Sequence, residues 1–85
     1  MSAGYVQPPA TLPGFPRATK ARPKTPLFGK KLRRRWKDPD GTIYEWDYQH
    51  GRVEKYDARG SHQGEYDPNT GRKLNEADPT KKVTP

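Results

Sequence analysis

The sequence predicts a mainly β protein: a small antiparallel sheet arranged as a meander, preceded by an extended, proline-rich arm. Two observations carry this prediction. Strong turn sequences recur at roughly ten-residue spacing through residues 29–85, and the segments between them are rich in β-branched and aromatic residues. Such short connections leave no room for the long crossovers that parallel strands need, so neighbouring strands should be antiparallel.

The arm comprises residues 1–28 and contains six of the ten prolines. Because proline fixes φ and lacks an N–H group, a regular helix or a central strand is not expected here, although a short helical turn is compatible with the sequence. We expect Leu12, Phe15 and Phe28 to hold this otherwise flexible arm against the body. The sequence thus divides into an arm, residues 1–28, and a domain, residues 29–85.

Five strands are expected in the domain, over residues 31–37, 42–48, 52–57, 62–66 and 72–75. Turn sequences rich in Asp, Pro, Asn and Gly separate them. Apolar residues are few, at 28% of the chain, and the mean hydropathy is −1.33. The chain can therefore bury only a small core. We expect that core to contain Ile43, Trp46, Val53, Leu74 and several tyrosine rings.

Several classes of protein are excluded by composition. The absence of cysteine excludes disulfides and a thiolate zinc site. The sequence has no run of about 18 apolar residues, so no membrane-spanning helix is expected. No signal-peptide core is recognisable at the N-terminus, so an export signal is expected on a longer parent chain.

Charge is distributed unevenly. Residues 1–37 contain ten Lys or Arg and no acidic residue, whereas residues 38–85 contain seven Lys or Arg and ten Asp or Glu, giving +10 and −3. Aromatic residues lie beside the cations, a combination that suits RNA better than a bilayer. The predicted RNA-binding residues are Lys30, Lys31, Arg33, Arg34, Arg35, Trp36, Arg52 and Tyr56.

A carboxylate, an imidazole and a second carboxylate lie close together at Asp47, His50 and Glu54. These groups can move protons on and off oxygen near neutral pH. A turn at residues 49–51 would bend the chain so that all three reach one phosphate. Each residue also has a purely structural explanation: Asp47 could cap a turn, His50 could be a turn residue, and Glu54 could be a cross-strand partner. His62 lies outside the cluster and is expected at the surface or at a strand end.

Two non-catalytic functions are compatible with the same sequence. One is an RNA-binding β module that binds ribosomal RNA without cutting it. The other is an interaction module whose arm contacts acidic protein or lipid surfaces. The group of Asp47, His50 and Glu54 argues against both.

An ordered set of motifs resembles the cytotoxic domain of cloacin and the rRNA-cleaving colicins. It consists of Tyr-Glu-Trp-Asp at 44–47, Gln-His-Gly at 49–51, Glu54, Tyr56 and Asp-Pro-Asn-Thr-Gly at 67–71. Weaker matches extend the resemblance over most of residues 12–81. It implies a strongly twisted antiparallel sheet with a short N-terminal helical piece. It also implies a single cut in small-subunit (16S) rRNA at the ribosomal decoding A site, which stops protein synthesis.

The resemblance also implies residue roles. Asp47, His50 and Glu54 match the family's catalytic Asp, His and Glu, and the position of a family arginine falls on Lys81. The lysine is a departure, because arginine can clamp a phosphate with two parallel hydrogen bonds whereas lysine offers a point charge. Arg52 is a second departure, since a colicin relative has an acidic residue there.

The expected reaction is transesterification without a metal or cofactor. Glu54 is assigned as the base that deprotonates the ribose 2′-OH and His50 as the acid that protonates the leaving 5′-oxygen; the opposite assignment stays open. Asp47 orients the imidazole and Lys81 offsets phosphoryl charge. DNA, which lacks the 2′-OH, should not be cut.

The resemblance further implies a small acidic immunity protein as partner. The parent is expected to be a bacteriocin or a contact-dependent inhibition toxin, secreted or delivered to act in the cytoplasm of a target bacterium. No membrane is expected in the catalytic step.

Overall fold

The structure is a computed structural model that describes residues 5–85, in which it contains eight strands and no helix. Six strands form one antiparallel sheet in the order β1-β4-β5-β6-β7-β8, and β2 and β3 form a separate ribbon. The predicted antiparallel meander is confirmed. The strands are β1 Thr19–Ala21, β2 Pro26–Phe28, β3 Lys31–Leu32, β4 Arg35–Lys37, β5 Ile43–Asp47, β6 Arg52–Tyr56, β7 His62–Tyr66 and β8 Lys73–Glu76.

Four of the five predicted strands occur close to their predicted bounds, but the segment 31–37 is divided into β3 and β4. Its first part continues the ribbon with β2, where the Arg33 N–H donates to the Thr25 carbonyl at 2.8 Å. From Arg35 onward the chain pairs instead with β1 and β5. The change of partner interrupts the strand. No helix long and apolar enough to cross a membrane is found in the described part of the chain.

The three turns between β5, β6, β7 and β8 use the same local chemistry. Each begins with an aspartate, Asp47, Asp57 or Asp67, whose Oδ1 accepts a hydrogen bond from the backbone N–H two residues later at 2.8–2.9 Å. Each ends with a glycine at positive φ. These are the residue types that such turns favour, because a short Asx side chain can close the turn and glycine has no Cβ to clash.

One face of the sheet carries the apolar core. Trp36 pairs with Tyr44 and Trp46 pairs with Val53 across neighbouring strands, and all four are buried. Strand residues alternate between the two faces, so these four lie on the same side. Leu12 and Ala18 complete the buried cluster, and Phe15, Tyr48 and Tyr66 pack at its margin.

The arm lies along this core. The indole N–H of Trp46 donates to the Val6 carbonyl at 2.8 Å, and the indole N–H of Trp36 is 3.4 Å from the Ala10 carbonyl. Buried indole N–H groups need such partners. Leu12 is 1% exposed, and β1, which belongs to the arm, pairs with β4. The arm and the domain therefore share one core. Residues 1–4 lie outside the described residues.

Three details differ from the sequence prediction. Ile43 is buried as expected but on the opposite face, beside its cross-strand partner Tyr56. Leu74 is 39% exposed, because β8 is the outer strand and all four of its residues are exposed. Phe28, expected to hold the arm, is 50% exposed in the separate ribbon.

The other face of the sheet is polar. Five of its residues are successive cross-strand partners from β4 to β8, and we call them the polar row: Arg35, Glu45, Glu54, Glu65 and Asn75. At one end, Arg35 contacts Glu45 Oε2 through Nε at 3.0 Å and Nη2 at 2.7 Å, with both side chains 1% exposed. Trp36 is also 1% exposed. This corrects the prediction that Arg35 and Trp36 contact RNA, because neither offers surface to a ligand.

The C-terminal segment crosses back over the turn before β7. The Val83 N–H donates to the Gly60 carbonyl at 2.9 Å, and the His62 N–H is 3.3 Å from the Lys81 carbonyl. Gly60 has φ +88, and a Cβ there would lie 2.0 Å from the Val83 carbonyl oxygen. Only glycine allows this close approach, which brings Lys81 to the polar face.

The buried ion pair gives a stability prediction. Arg35→Leu leaves the Glu45 carboxylate buried without its partner and should lower the free energy of unfolding by about 3–5 kcal/mol. The matched double variant Arg35→Leu/Glu45→Leu should lose clearly less unfolding free energy than Arg35→Leu, because no buried charge is left unpaired. Urea unfolding measures both. If Arg35→Leu kept full stability and only weakened RNA binding, the structural role assigned to Arg35 would be wrong.

Candidate active site

The turn between β5 and β6 holds Asp47 and His50 together, as the sequence predicts. Oδ1 of Asp47 accepts from the backbone N–H groups of Gln49 and His50 at 2.9 and 3.2 Å, and Oδ2 lies 2.8 Å from His50 Nδ1. The Asp47 side chain is 13% exposed, whereas that of His50 is 55% exposed. One carboxylate thus closes the turn and orients the imidazole. Nε2 of His50 is left to exchange protons with a ligand.

Asp47 is held in its ionised form. Burial alone would raise the pKa of Asp47, but the hydrogen bonds from His50 and from the Gln49 and His50 backbone outweigh it and lower that pKa below 3.8. An ionised Asp47 in contact with Nδ1 accepts a hydrogen bond from that nitrogen, so Nδ1 of His50 carries a proton.

Glu54 lies in the middle of the polar row, and its partner is a histidine that the sequence prediction placed elsewhere. His62 Nε2 is 2.6 Å from Glu54 Oε1, and the His62 side chain is 4% exposed. His62 is the first residue of β7, so it lies at a strand end as one of the two predicted alternatives stated, but it is buried, and the prediction that it lies outside the cluster is wrong. The register shift between β6 and β7 at Lys55 and Tyr56 places Tyr56 opposite His62 and brings the imidazole to the polar face.

The tautomer of His62 follows from its second contact. The backbone N–H of Asp78 donates to His62 Nδ1 at 2.8 Å, so Nδ1 has no proton of its own. The proton of a neutral imidazole must then be on Nε2, which donates to Glu54. In this arrangement Glu54 accepts the hydrogen bond as a carboxylate.

Lys81 lies at the same carboxylate. Its Nζ is 3.5 Å from Glu54 Oε1, and its side chain is 48% exposed. The structure thus brings together all four of the predicted catalytic residues, Asp47, His50, Glu54 and Lys81, around one cavity. Their catalytic roles stay predictions.

Glu65 is a further carboxylate of this site that the sequence analysis did not identify. Its Oε1 accepts from Arg52 Nη1 at 2.9 Å and from Asn75 Nδ2 at 2.5 Å. Burial would raise the pKa of Glu65, but the hydrogen bonds from Asn75 and Arg52 lower it overall. The register of β6 against β7 could have identified Glu65, because Glu65 is the cross-strand partner of Glu54. Arg52, predicted to bind RNA, is therefore engaged with Glu65 at the edge of the site.

Asp47, His50 and Glu65 offer ligand atoms that all lie within 4.8 Å of one another, a spacing that could hold a metal ion. Each of the three already has a protein partner, and Glu65 is paired with a cation. The donor set fits a divalent cation only if these contacts rearrange.

The cavity has a volume of about 450 Å³ and opens on the polar face. Its wall includes Arg33, whose guanidinium donates to the Trp46 carbonyl at 3.0 Å, and Tyr56, which is 6% exposed. Burial raises the pKa of Tyr56, so its phenol stays protonated at neutral pH. Of the remaining predicted RNA contacts, Lys30 and Lys31 are exposed and Arg34 is half-buried.

Comparison with known proteins identifies the family. The model of the family described as Cytotoxic matches residues 6–84. The chain belongs to the Cytotoxic family. The resemblance found in the sequence is therefore confirmed, and it extends through most of the arm.

Three curated relatives of this Cytotoxic domain come from Escherichia coli. Colicin E3 is 47% identical over 64 residues, cloacin 39% over 84 and colicin-E6 41% over 73, covering 72%, 93% and 82% of this chain. The chain spans only 12%, 15% and 13% of the length of these relatives. It is thus similar to one part of much longer proteins.

The two histidines of the Cytotoxic domain should respond differently to substitution. His62→Ala leaves Glu54 Oε1 and the Asp78 N–H without their partner and should cost about 1–3 kcal/mol of unfolding free energy. The matched variant His50→Ala removes an exposed ring and should change stability by no more than about 0.5 kcal/mol. Urea unfolding at neutral pH tests both. If His62→Ala and His50→Ala lowered the unfolding free energy equally, the buried position of His62 and the exposed position of His50 would be contradicted.

Proposed function

We propose that this domain is a bacterial toxin ribonuclease that cuts small-subunit rRNA once, at the decoding A site, and so stops protein synthesis. The observation that carries the proposal is the cavity at which an exposed imidazole, His50, and a carboxylate, Glu54, meet beside the Lys81 cation. Membership of the Cytotoxic family and similarity to colicin E3, cloacin and colicin-E6 support it.

The reaction is an internal transesterification. Glu54 takes the proton of a ribose 2′-OH, and the resulting oxygen attacks the adjacent phosphorus. The bond from phosphorus to the 5′-oxygen of the next nucleotide breaks, and His50 gives that oxygen the proton from Nε2. The products are a 2′,3′-cyclic phosphate and a free 5′-OH. Asp47 holds the imidazole, and Lys81 offsets charge on the phosphoryl oxygens.

The surroundings of Glu54 favour it as the base. It accepts a hydrogen bond from the Nε2–H of neutral His62, which agrees with an ionised carboxylate ready to take a proton. The ionised Asp47 holds His50 by Nδ1, and the exposed ring presents Nε2 to a ligand, as the role of acid requires. The reverse assignment would need a neutral His50 and a protonated Glu54, whereas the Nε2–H of His62 is placed to donate to an ionised Glu54.

The basic surface supplies electrostatic attraction to rRNA. The exposed Lys30 and Lys31 and the cavity residue Arg33 are the cations of the basic run best placed to meet phosphates. Affinity should fall steeply with salt, because each phosphate contact releases a bound counterion. Selection of one bond in the ribosome must depend on shape and on the splayed bases of the decoding site.

Two partners outside this chain belong to the proposal. The first is a small acidic immunity protein that neutralises the toxin in the producing cell, where complementary charge speeds association. The second is the rest of the toxin, which delivers this domain to the cytoplasm of the target bacterium.

Cleavage of intact bacterial ribosomes tests the function. The protein, first freed of metal by a chelator, should release one discrete fragment from the 3′ end of 16S rRNA in Mg²⁺ buffer, and His50→Ala should release none. DNA should stay intact. Salt-sensitive binding without cleavage would favour the non-catalytic RNA-binding module. Dependence on added Zn²⁺ or Mn²⁺ would favour a metal site at Asp47, His50 and Glu65.

The pH dependence of cleavage distinguishes the base from the acid. Single-turnover rates should follow a bell-shaped curve, with an acid limb from Glu54 and an alkaline limb from His50. Glu54→Gln should lower the maximum cleavage rate by about 10²–10⁴-fold and abolish the acid limb of the pH curve. The isosteric amide keeps the contact with His62, so loss of folding is not expected. An acid limb that persists in Glu54→Gln and vanishes in His50→Gln would reverse the assignment.

Lys81 should contribute charge to the transition state. Lys81→Met keeps the length of the stem, removes the charge and should slow cleavage on the order of 10²–10³-fold. Lys81→Arg should be at least as active as the parent, because a guanidinium can contact two phosphoryl oxygens. Lys82→Met is the matched control on the neighbouring residue and should have a much smaller effect. If Lys81→Met and Lys82→Met slowed cleavage equally, the specific role assigned to Lys81 would be wrong.

A further inference from the structure

A second cleft lies at the same end of the sheet as the β5–β6 turn. It has a volume of about 200 Å³, and we call it the aromatic cleft. Its walls include an unusual share of exposed apolar surface, since Tyr5, Phe28 and Leu32 are 49%, 50% and 45% exposed. Single exposed apolar residues need no explanation, but several gathered at one cleft are typical of a binding site. The residues that matter here are Tyr5, Phe28, Leu32, Tyr48, Lys31 and Arg34.

Two aromatic residues of the cleft, Tyr5 and Phe28, are about half exposed. The ring centroids of Tyr5 and Phe28 are 5.8 Å apart with planes at 55°, and those of Tyr5 and Tyr48 are 6.4 Å apart with planes at 42°. The rings are tilted against one another instead of stacking in parallel. Half of Tyr5 and half of Phe28 is therefore open surface on which a flat ligand can lie.

The charge of the cleft specifies the ligand further. Lys31 and Arg34 line it, and no acidic side chain does so among residues 5–85. Aromatic faces combined with cations suit a nucleotide, whose base stacks while its phosphate contacts the cation. They do not suit a purely apolar peptide, because burying Lys31 and Arg34 without a counter-charge would be costly.

The cleft is continuous along the chain with the catalytic cavity. Arg33 lines the cavity and Arg34 the cleft, and likewise Asp47 lines the cavity and Tyr48 the cleft. Cα atoms of consecutive residues are about 3.8 Å apart. The two sites therefore adjoin each other at this end of the sheet, and a single RNA strand passing over the β5–β6 turn can reach both.

We propose that the aromatic cleft binds an unpaired nucleobase of the RNA substrate near the scissile bond. The base stacks on Tyr5 or Phe28, and Lys31 and Arg34 contact the adjoining phosphates. The inference rests on the proposed ribonuclease function and adds to it a subsite for a splayed base. It also gives a reason for exposed Tyr5 and Phe28 in a polar chain.

Fluorescent base analogues test the cleft directly. Short single-stranded RNAs, methylated at every 2′-oxygen so that they cannot be cut, carry 2-aminopurine at one position that is moved along the strand. Stacking on an aromatic ring quenches this base. At one position the wild-type protein should quench it, and Phe28→Leu and Tyr5→Leu, which keep apolar bulk, should bind that RNA about 5–100-fold more weakly.

Matched controls separate stacking from other effects. Leu74→Ser changes an exposed apolar residue on β8, away from the cleft, and should bind like wild type. RNA with an abasic site at the quenched position should bind wild type and Phe28→Leu equally. The proposal would be overturned if no position were quenched, or if Tyr5→Leu and Phe28→Leu both bound the intact RNA as tightly as the wild type. So would self-association of the wild type that Phe28→Leu abolishes, since a second copy would then occupy the cleft.

The fluorescence and binding tests of the aromatic cleft can be decided separately from the cleavage test. His50→Ala should keep the quenching while losing cleavage. If the wild type quenched the base through Phe28 but did not cut ribosomes, the ribonuclease proposal would fail and the cleft would stand. If ribosomes were cut through His50 while the cleft variants bound like wild type, only the cleft proposal would fail.

Discussion

The structure depends on accommodating three neighbouring glutamates in one row across the sheet. Glu45, Glu54 and Glu65 are successive cross-strand partners, and like charges placed opposite each other destabilise a sheet. Each carboxylate has its own donor: Arg35 for Glu45, His62 with Lys81 for Glu54, and Arg52 with Asn75 for Glu65. The pairing lets three carboxylates share one face of the sheet, and through Lys81 it ties the C-terminal segment to that face.

The row also places Glu54 in surroundings that differ from those of the other two glutamates. Arg35 and Glu45 are buried, and Arg52 and Glu65 lie at the more exposed end. Glu54, between them, is held by a neutral imidazole and by a lysine at 3.5 Å. Of the three glutamates in the row, Glu54 is the one that has no arginine partner among the described residues.

Much of the site could be predicted because it is local in sequence. The turn chemistry of Asp47 and Gly51 fixes the hairpin, and the hairpin brings Asp47, His50 and Glu54 to one face. His62 and Glu65 escaped prediction because their positions depend on the register of β7 against β6 and on the shift at Lys55 and Tyr56. Arg35 was misjudged because a basic run does not indicate which of its members finds a buried carboxylate. Leu74 was misjudged because a single sequence does not indicate which strand is outermost.

The chemical identity of the new RNA ends decides whether the ribose 2′-OH is the attacking group. An acid–base pair acting on a ribose 2′-OH must leave a 2′,3′-cyclic phosphate on the upstream fragment and a 5′-OH on the downstream fragment. Mass spectrometry of the ends released from cleaved ribosomes measures this. Attack by the 2′-OH predicts those two ends, and no cleavage of a substrate with a 2′-deoxy sugar at that position. A 3′-OH with a 5′-phosphate would contradict it and indicate attack by water.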